Sequence, residues 1–385
     1  MNLAGNWNYP TIVRFGAGRI RELGATVKAV GMVRPLLVTD ARLASMPIAK
    51  RAMDVLAGDG ISASMFSDVQ PNPVAANVEA GLKALRSGGH DGVIAFGGGS
   101  SLDAGKVIAF MAGQRRPMWD FEDIDDWWTR ADPAGILPVV AVPTTAGTGS
   151  EVGRAGVITD EATRRKTVIF HPLMLPKTSV CDPELTVGMP PTTTAGTGMD
   201  ALAHCLEAYC GSFYHPLADG IAVEGIRLIK ENLIRAHRDG SDLAARAHMM
   251  SAAVMGATAF QKALGAMHAL SHPVGALYDT HHGLTNAVFM PYVLAFNRSA
   301  IDSKIARLAA YLGMEPSFDA FLGWLLALRA EIGIPHTLAG LNVDDRQFDR
   351  MSEMAPADPT AGGNPLPIDA AACRRLYHNA YVGAL

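Results

Sequence analysis

The stretch GVIAFGGGSSLDAGKVIAFMA, residues 92–112, decides the fold class. A nearly continuous apolar run enters a glycine turn and leaves it as an amphipathic helix, the unit from which helix-covered parallel sheets are built. The runs PLLVTD (35–40) and LPVVAVPTT (137–145) have the same apolar character, as strands buried on both faces must. Helical stretches at 47–58 and 74–87 separate them. Residues 1–188 therefore read as an α/β domain. Beyond Pro190 the grammar changes. Stretches rich in Ala, Leu and Met (198–210, 217–235, 242–260, 300–312 and 316–332) repeat at helical spacing, so residues 189–385 read as a second, all-helical domain. The boundary is set at MPP, 189–191, because paired prolines interrupt both kinds of element.

The strand ends suggest a nucleotide. Gly97, Gly98, Gly99 and Ser100 let the backbone approach a phosphate at a helix N-terminus, although the same turn also serves as a tight strand-to-helix connection. It matches neither GxGxxG nor the P-loop spacing. Asp40, ending PLLVTD, can accept from a ribose 2′-OH and would repel a 2′-phosphate, favouring NAD; it can equally cap the next helix. The loop PTTAGTGSEVG (143–153) adds the hydroxyls of Thr144, Thr145, Thr148 and Ser150. Three such loops on one sheet edge argue together for a dinucleotide.

The helical half suggests a metal. Asp200 and His204 stand four apart, as do His268 and His272, and His281 and His282 follow shortly after. Positions i and i+4 share a helix face, close enough to share one ion. The neighbouring residues are apolar and small, and buried charge is costly unless paired or coordinated. A carboxylate with imidazoles suits a divalent first-row metal. Cys205 is a poor addition, since adjacent helix positions point apart.

Composition narrows the classes. The 385 residues are 49% hydrophobic and 18% charged, which describes a compact chain without low-complexity segments. A net charge of -4 and a pI near 6.3 leave no footprint for nucleic acid or an anionic membrane. The start MNLAGNWNYPTIVRF lacks a basic region followed by an apolar core, so no secretory leader is expected, and no apolar run is long enough to span a bilayer. Cys181, Cys205, Cys210 and Cys373 form no disulfide framework and read as reduced thiols in a cytoplasmic protein. The acidic aromatic run WDFEDIDDWW (119–128) reads as a solvated segment.

Taken in order, GGGSSLDAGK, PTTAGTGSEV, CDPELT, GMDALAHCLEAY and HALSHPVGALYDTHHG resemble the iron-containing (group III) alcohol dehydrogenases, from FGAG at 15–18 to GGNP at 362–365. The resemblance implies a dehydroquinate-synthase-like fold, with an α/β nucleotide domain, an all-helical metal domain and the active site in the cleft between them. It implies a divalent metal, Fe²⁺ or Zn²⁺, on Asp200, His204, His268 and His282. It implies NAD on Asp40, Asn72, Gly98, Gly99, Ser100, Asp103, Thr144, Thr145, Lys166 and Leu185. His272 then becomes the catalytic residue that passes the alcohol proton, or else a hydrogen-bond partner of the ligands. The reaction expected is hydride transfer between a small primary alcohol or aldehyde and NAD(H), the metal acting as Lewis acid. A cytoplasmic homodimer or higher homo-oligomer is expected, without nucleic-acid or membrane partners. Three departures from the family pattern stand out: Gly153 where the family often carries Thr, the extra imidazole of His281, and AFQKALGAMH (259–268), one residue short, with Phe260 and Lys262 expected near substrate.

Two other activities share the fold. A maleylacetate-type reductase would not need the whole ligand set, and Asp200 speaks against it. A dehydroquinate-synthase-like metal-dependent lyase would need a basic pocket, and the metal segments offer only Lys262. A non-catalytic metal or nucleotide binder is the third choice.

Overall fold

The computed structural model describes residues 11–385, so the expectation of no leader, argued from residues 1–15, lies mostly outside what it describes. The chain divides into two compact units at Gly188 and Met189.

In chain order the first unit holds β1 (Ile12–Phe15), α1 (Leu23–Ala29), β2 (Leu36–Asp40), α2 (Ala41–Ala44), α3 (Pro47–Gly58), β3 (Ser64–Val69) and α4 (Ala75–Ser87). Then follow β4 (Val93–Gly97), α5 (Gly99–Met111), β5 (Val139–Pro143), the hairpin β6 (Ala155–Asp160) and β7 (Arg165–Phe170), and β8 (Thr178–Cys181). Six strands form a wholly parallel sheet in the order β1-β8-β5-β4-β2-β3. Side chains alternate across a strand, so each apolar run supplies two cores. Leu36, Val38, Val93, Ala95, Val139 and Ala141 pack on one face with residues of α4 and α5. Leu37, Ile94, Phe96, Val140 and Val142 pack on the other with residues of α1 and α3. The chain runs outward from β2 to β3 and then returns to β4, so β2 and β4 flank the topological switch point where such sheets bind ligands.

The second unit, 189–385, contains only helices among its regular elements: α6 (Pro191–Cys210), α7 (Pro216–Arg238), α8 (Leu243–Ala259), α9 (Ala266–Tyr278), α10 (His282–Tyr311), α11 (Phe318–Glu331), α12 (Phe348–Met354) and α13 (Ala370–Val382), with short 3₁₀ turns. α6 begins at Pro191, seven residues before the periodic stretch starting at 198, because proline at the first helical position needs no N–H and its fixed φ suits the helix. α10 is longer than expected, running through Pro291. The WDFEDIDDWW segment forms two 3₁₀ turns, yet it is not merely solvated. Phe121 is buried with its ring 5.0 Å from Phe110, and Glu122 pairs with Arg165 at 2.7 Å.

A buried polar knot stiffens the first unit. Lys106 on α5, 1% exposed, donates from Nζ to the Ser150 carbonyl (3.0 Å) and the Ala155 carbonyl, with Asp103 Oδ1 at 3.3 Å. Glu151 is equally buried, and its Oε1 has no hydrogen-bond partner. Burial pushes the Glu151 carboxyl up to about 7, against the opposing pull of its own backbone N–H and of Lys106.

Two predictions follow from this packing. A Cβ on Gly105 of α5 would lie 2.8 Å from the Ala95 Cβ on β4, so Gly105→Val should lower stability by about 1–3 kcal/mol, read as a reduced denaturant midpoint. Because the folded chain holds the Glu151 proton more tightly than the unfolded chain, its contribution is full below pH 4.5 and lost as pH rises through about 7. Glu151→Gln should therefore gain on the parent by roughly 2–3 kcal/mol between pH 4.5 and 8, and parallel stability curves would contradict this.

Candidate metal centre and nucleotide loops

Three helices of the second unit converge their ionisable residues. α6 presents Asp200, His204 and Glu207 on one face, α9 presents His268 and His272, and α10 opens with His282. The helices approach closely because a Cβ on Gly283 would overlap the Gly196 carbonyl, so that contact admits only glycine. Asp200, His204 and His268 are buried, and each offers one ligand atom within 4.8 Å of the others. His282 Nε2 lies 3.6 Å from Asp200 Oδ1, and His204 Nε2 lies 3.9 Å from it. The imidazoles stack in pairs, His204 on His268 at 4.9 Å and His272 on His282 at 5.4 Å between ring centroids.

Asn286, one turn beyond His282, tests whether a cation fits. Its Nδ2 lies 2.9 Å from Asp200 Oδ1, 3.2 Å from His268 Nε2 and 3.1 Å from His282 Nε2. An amide nitrogen has two hydrogens, so three acceptors cannot all be satisfied there. Its Oδ1 is buried without a partner. A divalent ion satisfies one carboxylate and several imidazoles at once, so the donor set fits a metal of the first transition row.

The remaining side chains hold the donors in place. Glu207 accepts from the Met267 N–H (2.6 Å) with Oε1 and pairs with His268 Nδ1 (2.5 Å) through Oε2, leaving His268 Nε2 as the nitrogen facing the other donors. Burial alone would lower the His268 pKa, but the charge and hydrogen bond of Glu207 outweigh it and hold it above the usual value. Asn364 Oδ1 receives the Ala266 N–H at 3.2 Å, completing the start of α9. His272 Nδ1 lies 2.7 Å from Asp358 Oδ2.

His281 has a structural task. It is the N-cap of α10, with Nδ1 accepting from the Leu284 N–H at 3.4 Å. Phe260 stands edge-on to the His204 ring at 5.0 Å. Lys262 turns elsewhere. Its buried Nζ pairs with Asp219 at 2.6 Å and donates to the Tyr209 carbonyl at 3.4 Å, and burial lowers its pKa. Cys205 faces α7, where a Cβ on Gly225 would lie 2.7 Å from its sulfur.

In the first unit, the carboxyl edge of the sheet gathers most of the nucleotide residues. Gly97, at φ 145°, turns the chain from β4 into α5, with Gly98 as N-cap. The Thr144 N–H donates to the Gly97 carbonyl at 2.9 Å, and a Cβ on Gly99 would lie 2.6 Å from Thr148 Cγ2. The glycine turn and the 144–148 loop are thus neighbours, with Gly98 facing Thr145. Asp40 caps α2 through Oδ1 to the Leu43 N–H at 2.9 Å, the helix-cap role weighed from sequence. Asp103 spends its oxygens internally, on the Ser150 hydroxyl (2.5 Å), the Val157 N–H (3.0 Å) and Lys106. Ser100 lies in the first turn of α5, and Leu185 is buried in the turn Pro183–Thr186 after β8. Asn72 has φ 51° in the turn before α4, and Thr159, paired with Lys166 across the hairpin, donates to the Pro73 carbonyl at 2.7 Å.

Glu207, Asn286 and Asp358 were not anticipated. Glu207 carried a signal, standing three residues after His204 on the same helix face, and Asn286 stands four after His282. Asp358 carried none, being 86 residues from its partner.

The model of the "Iron-containing alcohol dehydrogenase" family matches residues 10–183, and that of the "Fe-containing alcohol dehydrogenase family, C-terminal" matches 194–381. A 4-hydroxybutyrate dehydrogenase of Cupriavidus necator is 39% identical over 378 residues, covering 96% of this chain and 97% of its own. A 1,3-propanediol dehydrogenase of Citrobacter freundii is 38% identical, covering 92% and 93%. Among solved structures, a 1,3-propanediol oxidoreductase superposes with TM-score 0.92 at 36% identity, covering 98% of this chain and 100% of that one. A sulfoacetaldehyde reductase from Bifidobacterium kashiwanohense in complex with NAD+ superposes with TM-score 0.89 at 28% identity, covering 98% and 99%. These matches do not favour the reductase and lyase alternatives of the shared fold, and the chain belongs to the iron-containing alcohol dehydrogenase family, as an NAD-linked oxidoreductase of alcohols and aldehydes.

Proposed function

We propose that Asp200, His204, His268 and His282 hold a divalent metal, Fe²⁺ by preference, and that the chain oxidises a small primary alcohol or reduces its aldehyde with NAD(H). The observation that carries this is the crowding of Asp200, His268 and His282 acceptors around one amide nitrogen of Asn286, with His204 alongside. Zn²⁺ can take the same donors, and more tightly on the intrinsic affinity order. The bound ion supplies Lewis-acid chemistry that lowers the pKa of the alcohol, and NAD accepts the hydride.

The protein's own residues supply placement and proton transfer. Glu207 fixes the tautomer and orientation of His268, and Phe260 walls the site beside His204. His272, stacked on His282, takes the alcohol proton on its Nε2. Gly98, Gly99 and Ser100 receive the diphosphate at the start of α5, with Thr144 and Thr145 on the facing loop. Asp103 supports that loop through Ser150. Asp40 retains one carboxylate oxygen for a ribose hydroxyl, which favours NAD over NADP. Asn72, Lys166 and Leu185 complete the cofactor site. Lys262 offers the substrate no spare cation in this assignment, because it is committed to Asp219. The first unit is accordingly the dinucleotide-binding domain and the second the metal and substrate domain. A cytoplasmic homo-oligomer, dimer or larger, fits four buried thiols and an edge strand β1 that leaves Ile12 65% exposed. Among the described residues no helix is long and apolar enough to cross a membrane.

Anaerobic reconstitution with Fe²⁺ or Zn²⁺, followed by NADH formation over primary alcohols, diols and ω-hydroxy acids, tests the activity. Turnover should appear only with metal, and failure with every metal and substrate would refute it. Asp200→Ala should abolish metal retention, measured by elemental analysis, while NAD affinity changes less than about twofold. Glu207→Ala should weaken metal affinity by about 10- to 100-fold in chelator competition, since it removes the orienting partner of a ligand.

A further inference from the structure

Asp358 lies outside every motif that carries the resemblance to the dehydrogenases, yet it reaches into the candidate centre. It follows α12 in a turn between two 3₁₀ segments, and its side chain is 8% exposed. Oδ1 accepts from the Thr360 N–H at 2.9 Å and the Thr360 hydroxyl at 2.5 Å. Those bonds anchor the carboxylate and leave Oδ2 aimed at His272 Nδ1, 2.7 Å away. The ring it contacts is itself buried, 18° from parallel to His282 and 5.9 Å from His268 between centroids.

From this geometry we infer that Asp358 is a positioning residue that locks His272 in the Nδ1–H tautomer, so that Nε2 alone is available to accept the substrate proton. An ionised carboxylate only accepts, so the nitrogen facing it must carry the hydrogen. A neutral imidazole has one such hydrogen, which leaves the lone pair on Nε2. The proton leaves the alcohol oxygen for Nε2 as the C–H electron pair leaves with the hydride to NAD. His272 becomes doubly protonated, still held by Asp358, and then releases the Nε2 proton to water. Asparagine in place of Asp358 keeps the size but can donate its own N–H to Nδ1, favouring the opposite tautomer.

The inference rests on the proton-accepting role assigned to His272, and the experiment separates the two. With the metal-loaded protein, Asp358→Asn should lower kcat about 10- to 100-fold. KM for NAD, metal content and thermal midpoint should stay within error of the parent. His272→Ala should show a similar loss, and the double variant should be no worse than His272→Ala within about twofold, because one residue acts through the other. A further tenfold loss in the double variant would show that Asp358 acts independently and would overturn the inference. So would a normal kcat in Asp358→Asn beside an impaired His272→Ala. A normal His272→Ala would instead remove the assigned role of His272. Should the variants misfold, imidazole ¹⁵N shifts of the Zn²⁺-loaded parent decide the tautomer directly: a protonated Nδ1 supports the inference and a protonated Nε2 refutes it.

Discussion

A carboxylate and two imidazoles buried among apolar helices, with the half-buried His282 beside them, form the constraint on which the second unit depends. Asp200 is 2% exposed, His204 4% and His268 2%, so little of their hydration survives folding. Such groups are tolerable only where each polar atom has a partner. The structure meets this demand only in part by local means, with Asn286 inside the donor set and Glu207 and Asp358 behind the imidazoles, while Asn286 Oδ1 stays without a partner. A divalent cation held by these donors would meet it more completely. The close contact of Gly283 with Gly196 follows from the same requirement, since α10 must approach α6 for His282 to reach Asp200.

The first unit solves a different problem with different means. Its central strands β2, β4, β5 and β8 are buried on both faces, so their polar ligand groups can only lie at strand ends. Asp40, the glycine turn and the Thr144 loop all occupy the carboxyl edge for that reason. The buried Lys106 keeps the chain beyond this loop in place by binding the Ser150 and Ala155 carbonyls, and Asp103 joins the same knot. Asp103 thus holds the loop through Ser150, while Thr145 and Thr148 keep partial exposure.

Much of this was legible before any coordinates. The three apolar runs became β2, β4 and β5, and the helical stretches at 47–58 and 74–87 became α3 and α4. Element ends were less legible, because they depend on single residues: Pro191 starts α6 early, and Pro291 fails to stop α10. His281 and His282 were indistinguishable as neighbours in sequence. The start of α10 separates them, since the cap position directs His281 to the Leu284 N–H while the first helical position carries His282 to Asp200. Lys262 shows the reverse error. The family pattern of its segment suggested a place near substrate, but Asp219, 43 residues away, claims its charge.

By itself the sequence determined what recurs at short range. Hydrophobic periodicity set the two kinds of unit, and i, i+4 spacing placed Asp200 with His204 and His268 with His272, because local backbone geometry fixes which side chains share a face. Only the tertiary structure decided the partners that complete each group. Glu207 reaches His268 across 61 residues and Asp358 reaches His272 across 86, and no local pattern encodes such pairings. Buried polar atoms must find partners wherever the packed helices bring them, so the identity of those partners is settled by packing.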